Sequence, residues 1–288
     1  MNWRPYAQLA RLPAIFSAFA DILATHFIVT GGDVRLTPLV SLLIASGLIY
    51  SAGMVLNDCF DLEIDRRERP YRPLPSGAVS MTTAWLLGAG MMMAGVTLAF
   101  TAGTASGLSA LALAALVLAY DGWAKNGLLG PPVMGLCRYA NWIMGLSILP
   151  LTTASWLLPI PILLYVTGVT ILSGQEVEAR QRGAVIAAAL VGGLSFPAMA
   201  LLVRDGTLPH AWALLAGLPA FALLMRTYIG VYRDFSPQST QAAMRTLLMG
   251  IAPLGALVTL AAAPPWTAVV VLLLTFPGKW LARRMYVS

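Results

Sequence analysis

Charge is scarce in this chain: only 10% of its 288 residues are Asp, Glu, Lys or Arg, against roughly 25% in a soluble domain. A soluble fold of this length needs far more polar surface, so that class is excluded. Cysteine is nearly absent. Cys59 and Cys137 lie far apart in the sequence, which gives no basis for a disulfide framework. No linker or low-complexity tail interrupts the chain, and short segments of alternating hydrophobicity, the mark of a β-barrel, are missing. A small-residue cleavage site does not follow the first apolar stretch, so that stretch reads as a retained helix and not a signal peptide.

Apolar residues are what the chain has in abundance, at 58%, and they come in near-continuous runs of about 17 to 22 residues, the length that crosses a hydrocarbon core. The expected spans are 12–30, 37–56, 82–102, 104–120, 133–153, 156–174, 184–203, 209–229, 243–262 and 265–282. Each must be helical, because lipid offers no partner for unpaired backbone groups. The expectation is therefore an all-α bundle of nine or ten transmembrane helices, forming a single domain over residues 1–288 in the lipid bilayer.

The basic residues sort sharply when loops are assigned alternately to two sides. One side takes Arg4, Arg11, Arg66, Arg67, Arg69, Arg72, Lys125, Arg138, Arg180, Arg182, Arg226, Arg233, Arg245, Lys279, Arg283 and Arg284; the other takes Arg35 and Arg204. By the positive-inside rule the first side is cytoplasmic, and it holds the N-terminus. The net charge of +6 is thus explained by topology and calls for no nucleic acid. With no transit peptide in view, a bacterial-type inner membrane is the expected location.

Chemistry is concentrated at the cytoplasmic end of the second span, in Asn57-Asp58-Cys59-Phe60-Asp61-Leu62-Glu63-Ile64-Asp65. On a helix Asp58, Asp61 and Asp65 fall within an arc of roughly 60°, with Asn57 at its edge. Three carboxylates so close repel one another unless a cation bridges them, and hard oxygen ligands suit Mg²⁺ completed by substrate phosphates. Arg66, Arg67, Arg69 and Arg72 follow, positioned to meet the same anion. The plainer reading is a solvated acidic helix end with a basic topology loop, but acid clusters at a membrane boundary are costly and are functional candidates by default.

Asn57-Asp58-x-x-Asp61-x-x-x-Asp65 followed by Arg72-Pro73-Leu74-Pro75-Ser76-Gly77 resembles the first aspartate-rich motif of the UbiA superfamily of intramembrane prenyltransferases. The resemblance implies a helical bundle with a cavity open toward lipid. It implies Mg²⁺-dependent transfer of a prenyl group from an isoprenyl diphosphate to a lipophilic acceptor, often an aromatic ring. Under it Asn57, Asp58, Asp61 and Asp65 hold Mg²⁺ and the diphosphate, while Arg72 contacts phosphate or orders its loop. Tyr120 and Lys125 match the family's Tyr-x-x-x-x-Lys, with Lys125 on the diphosphate and Tyr120 at the leaving oxygen. Alone, that pair also reads as an interfacial anchor and a topology lysine.

The family's second aspartate motif has no counterpart. Span six ends in Gln175-Glu176-Val177-Glu178, where Glu176 and Glu178 project about 160° apart on a helix and form i, i+4 pairs with Arg180 and Arg182. Gln175, Glu176 and Glu178 are the candidates for a modified second site. The tenth span is also unusual for the family, and Pro264-Pro265 allows spans nine and ten to be one kinked element.

Asp21 lies mid-span in the first helix, followed by His26, and must face the bundle interior or a polar cavity. Arg138 and Asn141 share a face of span five. Arg138 is a candidate diphosphate ligand beside Lys125, or a topology charge; Asp21 and Asn141 are candidates for acceptor binding, or for hydrogen bonds between helices. Asp121 is spaced to pair with Lys125. His210 has no partner motif. The competing readings are a non-catalytic UbiA-like protein that binds or carries a lipid precursor, a CDP-alcohol phosphotransferase, whose Asp-x-x-Asp-Gly-x-x-Ala-Arg is not matched, and a transporter, for which no symmetrical pair of broken helices is seen. Prenyl chain length, acceptor identity and oligomeric state are not encoded in these patterns.

Overall fold

The computed structural model describes residues 3–176, 179 and 181–286, so Glu178 and Arg180 lie outside the described residues. Among those described, no strand occurs. A short α1 (Arg4–Leu9) precedes α2 (Ile15–Thr30), α3 (Leu36–Phe60), α4 (Leu62–Glu68), α5 (Met81–Ala102) and α6 (Thr104–Ala119). After a wide turn at Tyr120–Ala124 come α7 (Gly130–Leu146), α8 (Thr153–Leu157), α9 (Ile160–Ser173), α10 (Arg182–Gly193) and α11 (Ser195–Arg204). The chain closes with α12 (Ala213–Arg233), α13 (Pro237–Met249), α14 (Ile251–Ala262), α15 (Pro265–Leu273) and α16 (Thr275–Tyr286).

Among the described residues, eight helices are long and apolar enough to cross a bilayer: Leu12–Thr30, Leu36–Phe60, Met81–Ala102, Thr104–Ala124, Thr153–Ser173, Arg182–Arg204, Ala213–Arg233 and Pro237–Ala262. This is an integral membrane protein. α7, of 17 residues, is less apolar because it carries Arg138 and Asn141, and its packing between α2, α6 and α9 places it among the crossings as the fifth long helix of the bundle. Pro265–Gly278 is a shorter apolar stretch. Among the described residues the nine or ten helices expected from hydropathy thus correspond to eight spans, with α7 and the short Pro265–Gly278 stretch beside them.

Several crossings are built from two pieces, and proline sets where each one breaks. α10 and α11 part at Leu194, α13 and α14 at Gly250, and α15 and α16 at Leu274. Each break lies three residues before a proline, at Pro197, Pro253 and Pro277. A proline lacks the N–H that would bond the carbonyl four residues earlier, and its ring clashes with that carbonyl. Leu158 before Pro161 marks the same step between α8 and α9. Pro219 is the exception, held inside an unbroken α12.

The helices approach closely where small residues meet, as expected when lipid supplies no hydrophobic drive between them. A Cβ on Gly95 of α5 would lie 2.9 Å from the Ala45 carbonyl oxygen of α3. One on Gly168 of α9 would lie 2.6 Å from the Gly192 backbone of α10. α3, flanked by α2, α5 and α6, therefore runs through the packed part of the bundle and delivers its acidic end to one rim.

Candidate active site

The acidic segment is not one straight helix. α3 ends at Phe60, Asp61 sits at φ −92° and ψ 4°, and α4 resumes at Leu62. The Asp65 N–H still donates to the Asp61 carbonyl at 2.8 Å, so the chain bends without losing the turn. Asp58 and Asp65 are buried, at 4% and 2% exposure, and they share one cation. Arg72 Nη1 lies 2.6 Å from Asp65 Oδ2 and 3.4 Å from Asp58 Oδ1. Arg72 opens a compact turn in which Val79 N–H donates to the Pro73 carbonyl at 3.1 Å and Gly77 takes φ +75°, a conformation that favours glycine. Leu74 and Val79 pack there against Leu9, Val55, Cys59 and Ala84. The Arg-Pro-Leu-Pro-Ser-Gly segment thus anchors the arginine that spans two aspartates.

Arg11 completes the set on Asp58, with Nη2 at 3.1 Å from Oδ1. From its place in the sequence alone, Arg11 is only a topology charge. Its backbone, at φ 47° and ψ 47°, is the one left-handed non-glycine conformation among the described residues, a placement that costs about 1–2 kcal/mol. Nothing in the local sequence signals this, because the contact spans 47 positions.

Asp61 faces the other way, toward Lys125, whose Nζ is 2.6 Å from Oδ1. The wide turn at Tyr120–Ala124 makes this possible: Lys125 N–H donates to the Tyr120 carbonyl at 3.0 Å, a five-residue step of the kind that recurs at functional sites. The Tyr-x-x-x-x-Lys spacing is that step. Asp121, expected to pair with Lys125, accepts a hydrogen bond from Asn57 Nδ2 on Oδ1 at 2.9 Å, while its Oδ2 is buried without a hydrogen-bond partner. Four carboxylates, Asp58, Asp61, Asp65 and Asp121, are thereby set among Arg11, Arg69, Arg72 and Lys125, with Arg69 Nη1 3.7 Å from Asp65.

Through Asn57, Asp121 and Arg11 this cluster meets the head of a cavity of about 860 Å³. Asn57, Tyr120, Asp121 and Arg11 line its charged end, and apolar side chains such as Ile49, Leu113, Val166 and Val169 line its body. Arg138 lies eight residues into α7, about 12 Å along it at 1.5 Å per residue. It was expected beside Lys125; the structure instead pairs its Nε with Asp21 Oδ2 at 3.2 Å. Asn141 Nδ2 donates to the same oxygen at 3.0 Å. His26 accepts from the Arg35 backbone N–H at 3.0 Å and belongs to the far rim.

Of the modified second site, Glu176 reaches the mouth. It shares a side pocket of about 270 Å³ with Arg69, Gln241 and Arg245, and burial pushes its carboxyl above the usual range while Arg69 opposes the rise. Gln175 accepts from the Gln181 backbone at 3.0 Å through its side chain, closing its own loop. Arg69 therefore lies between Asp65, 3.7 Å away, and Glu176, within electrostatic reach across the pocket, which the spacing of residues so far apart in sequence does not reveal.

The family model for the UbiA prenyltransferase family matches residues 18–250. The chain belongs to that family. Among proteins similar to it are two digeranylgeranylglyceryl phosphate synthases. The one from Saccharolobus solfataricus is 31% identical over 98 residues, covering 34% of this chain and 35% of its own length. The one from Ignicoccus hospitalis is 27% identical over 212 residues, covering 69% and 68%. The match to the former thus spans only about a third of that relative. Among solved structures, a UbiA homolog from Archaeoglobus fulgidus bound to GPP and Mg²⁺ superposes with a TM-score of 0.67 at 14% identity, over 93% of this chain and 99% of that one. The UbiA resemblance carried by Asn57 to Gly77 is borne out by the family match, and the helical membrane fold by the neighbour.

Asn57 and the aspartates form a hard, all-oxygen donor set that suits Mg²⁺. Among the described residues no three carboxylate, histidine or cysteine side chains gather about one point, because arginine and lysine now hold them. Four carboxylates balanced by four cations leave no surplus positive charge for a polyanionic diphosphate, which is a further reason a divalent cation fits.

Proposed function

We propose that this protein is a membrane prenyltransferase that moves a prenyl group from an isoprenyl diphosphate to a lipophilic acceptor inside its cavity. The observation that carries this reading is the joining of a charge-balanced carboxylate and cation cluster to one end of an apolar cavity of about 860 Å³. Asn57, Asp58, Asp61 and Asp65 would hold Mg²⁺, which when bound supplies positive charge to the leaving diphosphate.

Lys125, Arg72, Arg69 and Arg11 turn from their aspartates to the phosphate oxygens and stabilise charge that develops there. The bond from C1 of the prenyl group to oxygen breaks, and its electron pair stays on the diphosphate. Tyr120, which lines the cavity beside Asp121, donates a hydrogen bond to the leaving oxygen. The acceptor's electron pair forms the new bond to C1, and its proton passes to Asp121, whose Oδ2 is free. Apolar walls exclude the water that would quench the cation. Asp21 and Asn141, deeper in the bundle, position the acceptor. Glu176 serves the mouth by holding Arg69, in place of a second aspartate motif.

The chain functions as one domain over residues 1–288, with the acidic rim and N-terminus in the cytoplasm. The membrane is a prokaryotic plasma membrane; the relatives are largely archaeal, so a bacterial assignment has no support from them. The test is diphosphate release from geranyl, farnesyl and geranylgeranyl diphosphates by purified protein, with and without Mg²⁺. Release that needs Mg²⁺ and disappears in Asp61→Ala is the expected result. Tight binding without release, even with candidate aromatic acceptors present, would replace the enzyme by a lipid carrier.

A further inference from the structure

Below the charged head, the cavity has a second polar place. Ser46 and Asn57 both line it, yet they lie about 16 Å apart along α3 at 1.5 Å per residue. Arg138 and Asn141 line the same depth. Ser46 Oγ donates to Asn141 Oδ1 at 2.7 Å, Asn141 Nδ2 donates to Asp21 Oδ2 at 3.0 Å, and Arg138 Nε is 3.2 Å from that same oxygen. Asp21 is 1% exposed and the Arg138 side chain 11%.

Two features argue against a purely architectural role. A buried ion pair contributes little to stability compared with apolar packing of the same volume, and intramembrane charges cluster at functional places. Moreover, none of the Arg138 guanidinium donors makes a hydrogen bond within the described residues, although Asp21 neutralises its charge at short range. A guanidinium carries five donors, and those of Arg138 open onto the cavity rather than being closed off in the packed interior. Arg138 is therefore compensated in charge but not in hydrogen bonding, and it faces the cavity.

We propose that Arg138, Asn141 and Ser46 form an interior subsite for the remote end of the prenyl acceptor, and that this end is an uncharged oxygen such as a ketone, quinone or hydroxyl. The proposal rests on the prenyltransferase reading and deepens it by naming the acceptor's chemistry. An anion is disfavoured because Asp21 already satisfies the guanidinium charge, so a carboxylate would bring a net negative charge into the bundle. A neutral oxygen takes the unused donors without that cost. The acceptor lies along the cavity, its nucleophile toward Asp121 and its polar end at Arg138. Asp21 is a positioning residue here: it holds Arg138 and sets the charge of the subsite.

The test is equilibrium binding of radiolabelled 4-hydroxyacetophenone and 4-hydroxybenzoate, phenols of similar shape that carry a ketone or a carboxylate, to the full-length protein in lipid nanodiscs. The native protein should prefer the ketone. Arg138→Gln should weaken ketone binding by roughly tenfold or more, and the milder Ser46→Ala, which frees Asn141, by roughly threefold. Asp21→Asn should reverse the preference toward the carboxylate, which a merely structural role would not do. A native preference for the carboxylate overturns the proposal. So does ketone binding that is indifferent to both Arg138→Gln and Ser46→Ala in folded protein, or an Asp21→Asn variant that weakens both probes equally. Geranyl diphosphate binding is measured in parallel. Its absence would remove the prenyltransferase reading of the charged head, while the interior subsite would still be judged on the two phenols.

Discussion

Lys125 and a divalent cation compete for the same oxygen, which leads to an uncommon expectation: removing Lys125 should tighten cation binding while abolishing turnover. Lys125 Nζ sits 2.6 Å from Asp61 Oδ1, with side chains 12% and 21% exposed. Nζ makes no hydrogen bond of good geometry there, so charge alone holds the pair, and at an effective dielectric of about 20 two charges this close attract by on the order of 4 kcal/mol before desolvation. A cation that takes Asp61 must displace the ammonium and forfeit part of that interaction. At about 1.4 kcal/mol per tenfold, Lys125→Met should raise the affinity for a divalent ion by roughly 10- to 100-fold. Mn²⁺ can stand in for Mg²⁺ and be followed by electron paramagnetic resonance without substrate. Diphosphate release should fall at the same time, because the leaving group loses its closest cation. Unchanged or weaker Mn²⁺ binding in folded Lys125→Met protein would refute the competition and leave Asp61 as a structural partner of the lysine.

Three further expectations concern the frame around the site. Gly168→Ala places a methyl 2.6 Å from the Gly192 backbone; backbone cannot yield as a side chain can, so a loss of about 1–3 kcal/mol should appear as a lower unfolding temperature in detergent, and an unchanged temperature would mean that α9 and α10 separate freely. Arg11→Ala and Arg11→Gly should both raise the KM for prenyl diphosphate, but the glycine variant should be more stable by about 1 kcal/mol because it takes the left-handed backbone without strain; equal stabilities would contradict the strain at φ 47°. For Glu176, burial raises the folded-state pKa, so its ionisation opposes folding. Stability conferred by the protonated form is complete below the ordinary carboxylate range and is lost as pH climbs through the raised value. Glu176→Gln should therefore gain in unfolding temperature over the native protein across that interval and hold the gain above it, and an advantage that shrinks as pH rises would reverse the assignment.

Much of the architecture could be read directly from residues, because lipid imposes a simple rule on apolar run length. Helices α3, α5 and α6 follow the expected spans within a few residues, and the breaks at Leu194, Gly250 and Leu274 are written in the prolines three positions later. The Asp58, Asp61 and Asp65 spacing located the charged rim for the same reason, since it depends only on neighbours along the chain. What the spacing cannot express is which side chains meet across helices. Arg11 and Asp58, Asn57 and Asp121, and Asp21 and Arg138 are each distant in sequence, and no periodicity ties one member to the other. The bend at Asp61 belongs to the same class: it separates Asp61, turned to Lys125, from Asp58 and Asp65, joined by Arg72, where a straight helix would have presented all three together.

The pairing of Asp21 with Arg138 also bears on how the protein is made. Asp21 belongs to the first crossing and Arg138 to the fifth, so the ribosome delivers the carboxylate 117 positions before its partner exists. At about 5–20 residues per second, domains growing from the N-terminus leave that gap open for roughly 6 to 23 seconds. Throughout this interval α2 must remain in the membrane with its acid uncompensated, held by the rest of the apolar span Leu12–Thr30. Only when α7 inserts against it can the interior close. The bundle's assembly is therefore ordered by a bond between its first and fifth crossings, and a chain truncated before Arg138 should expose α2 to quality control.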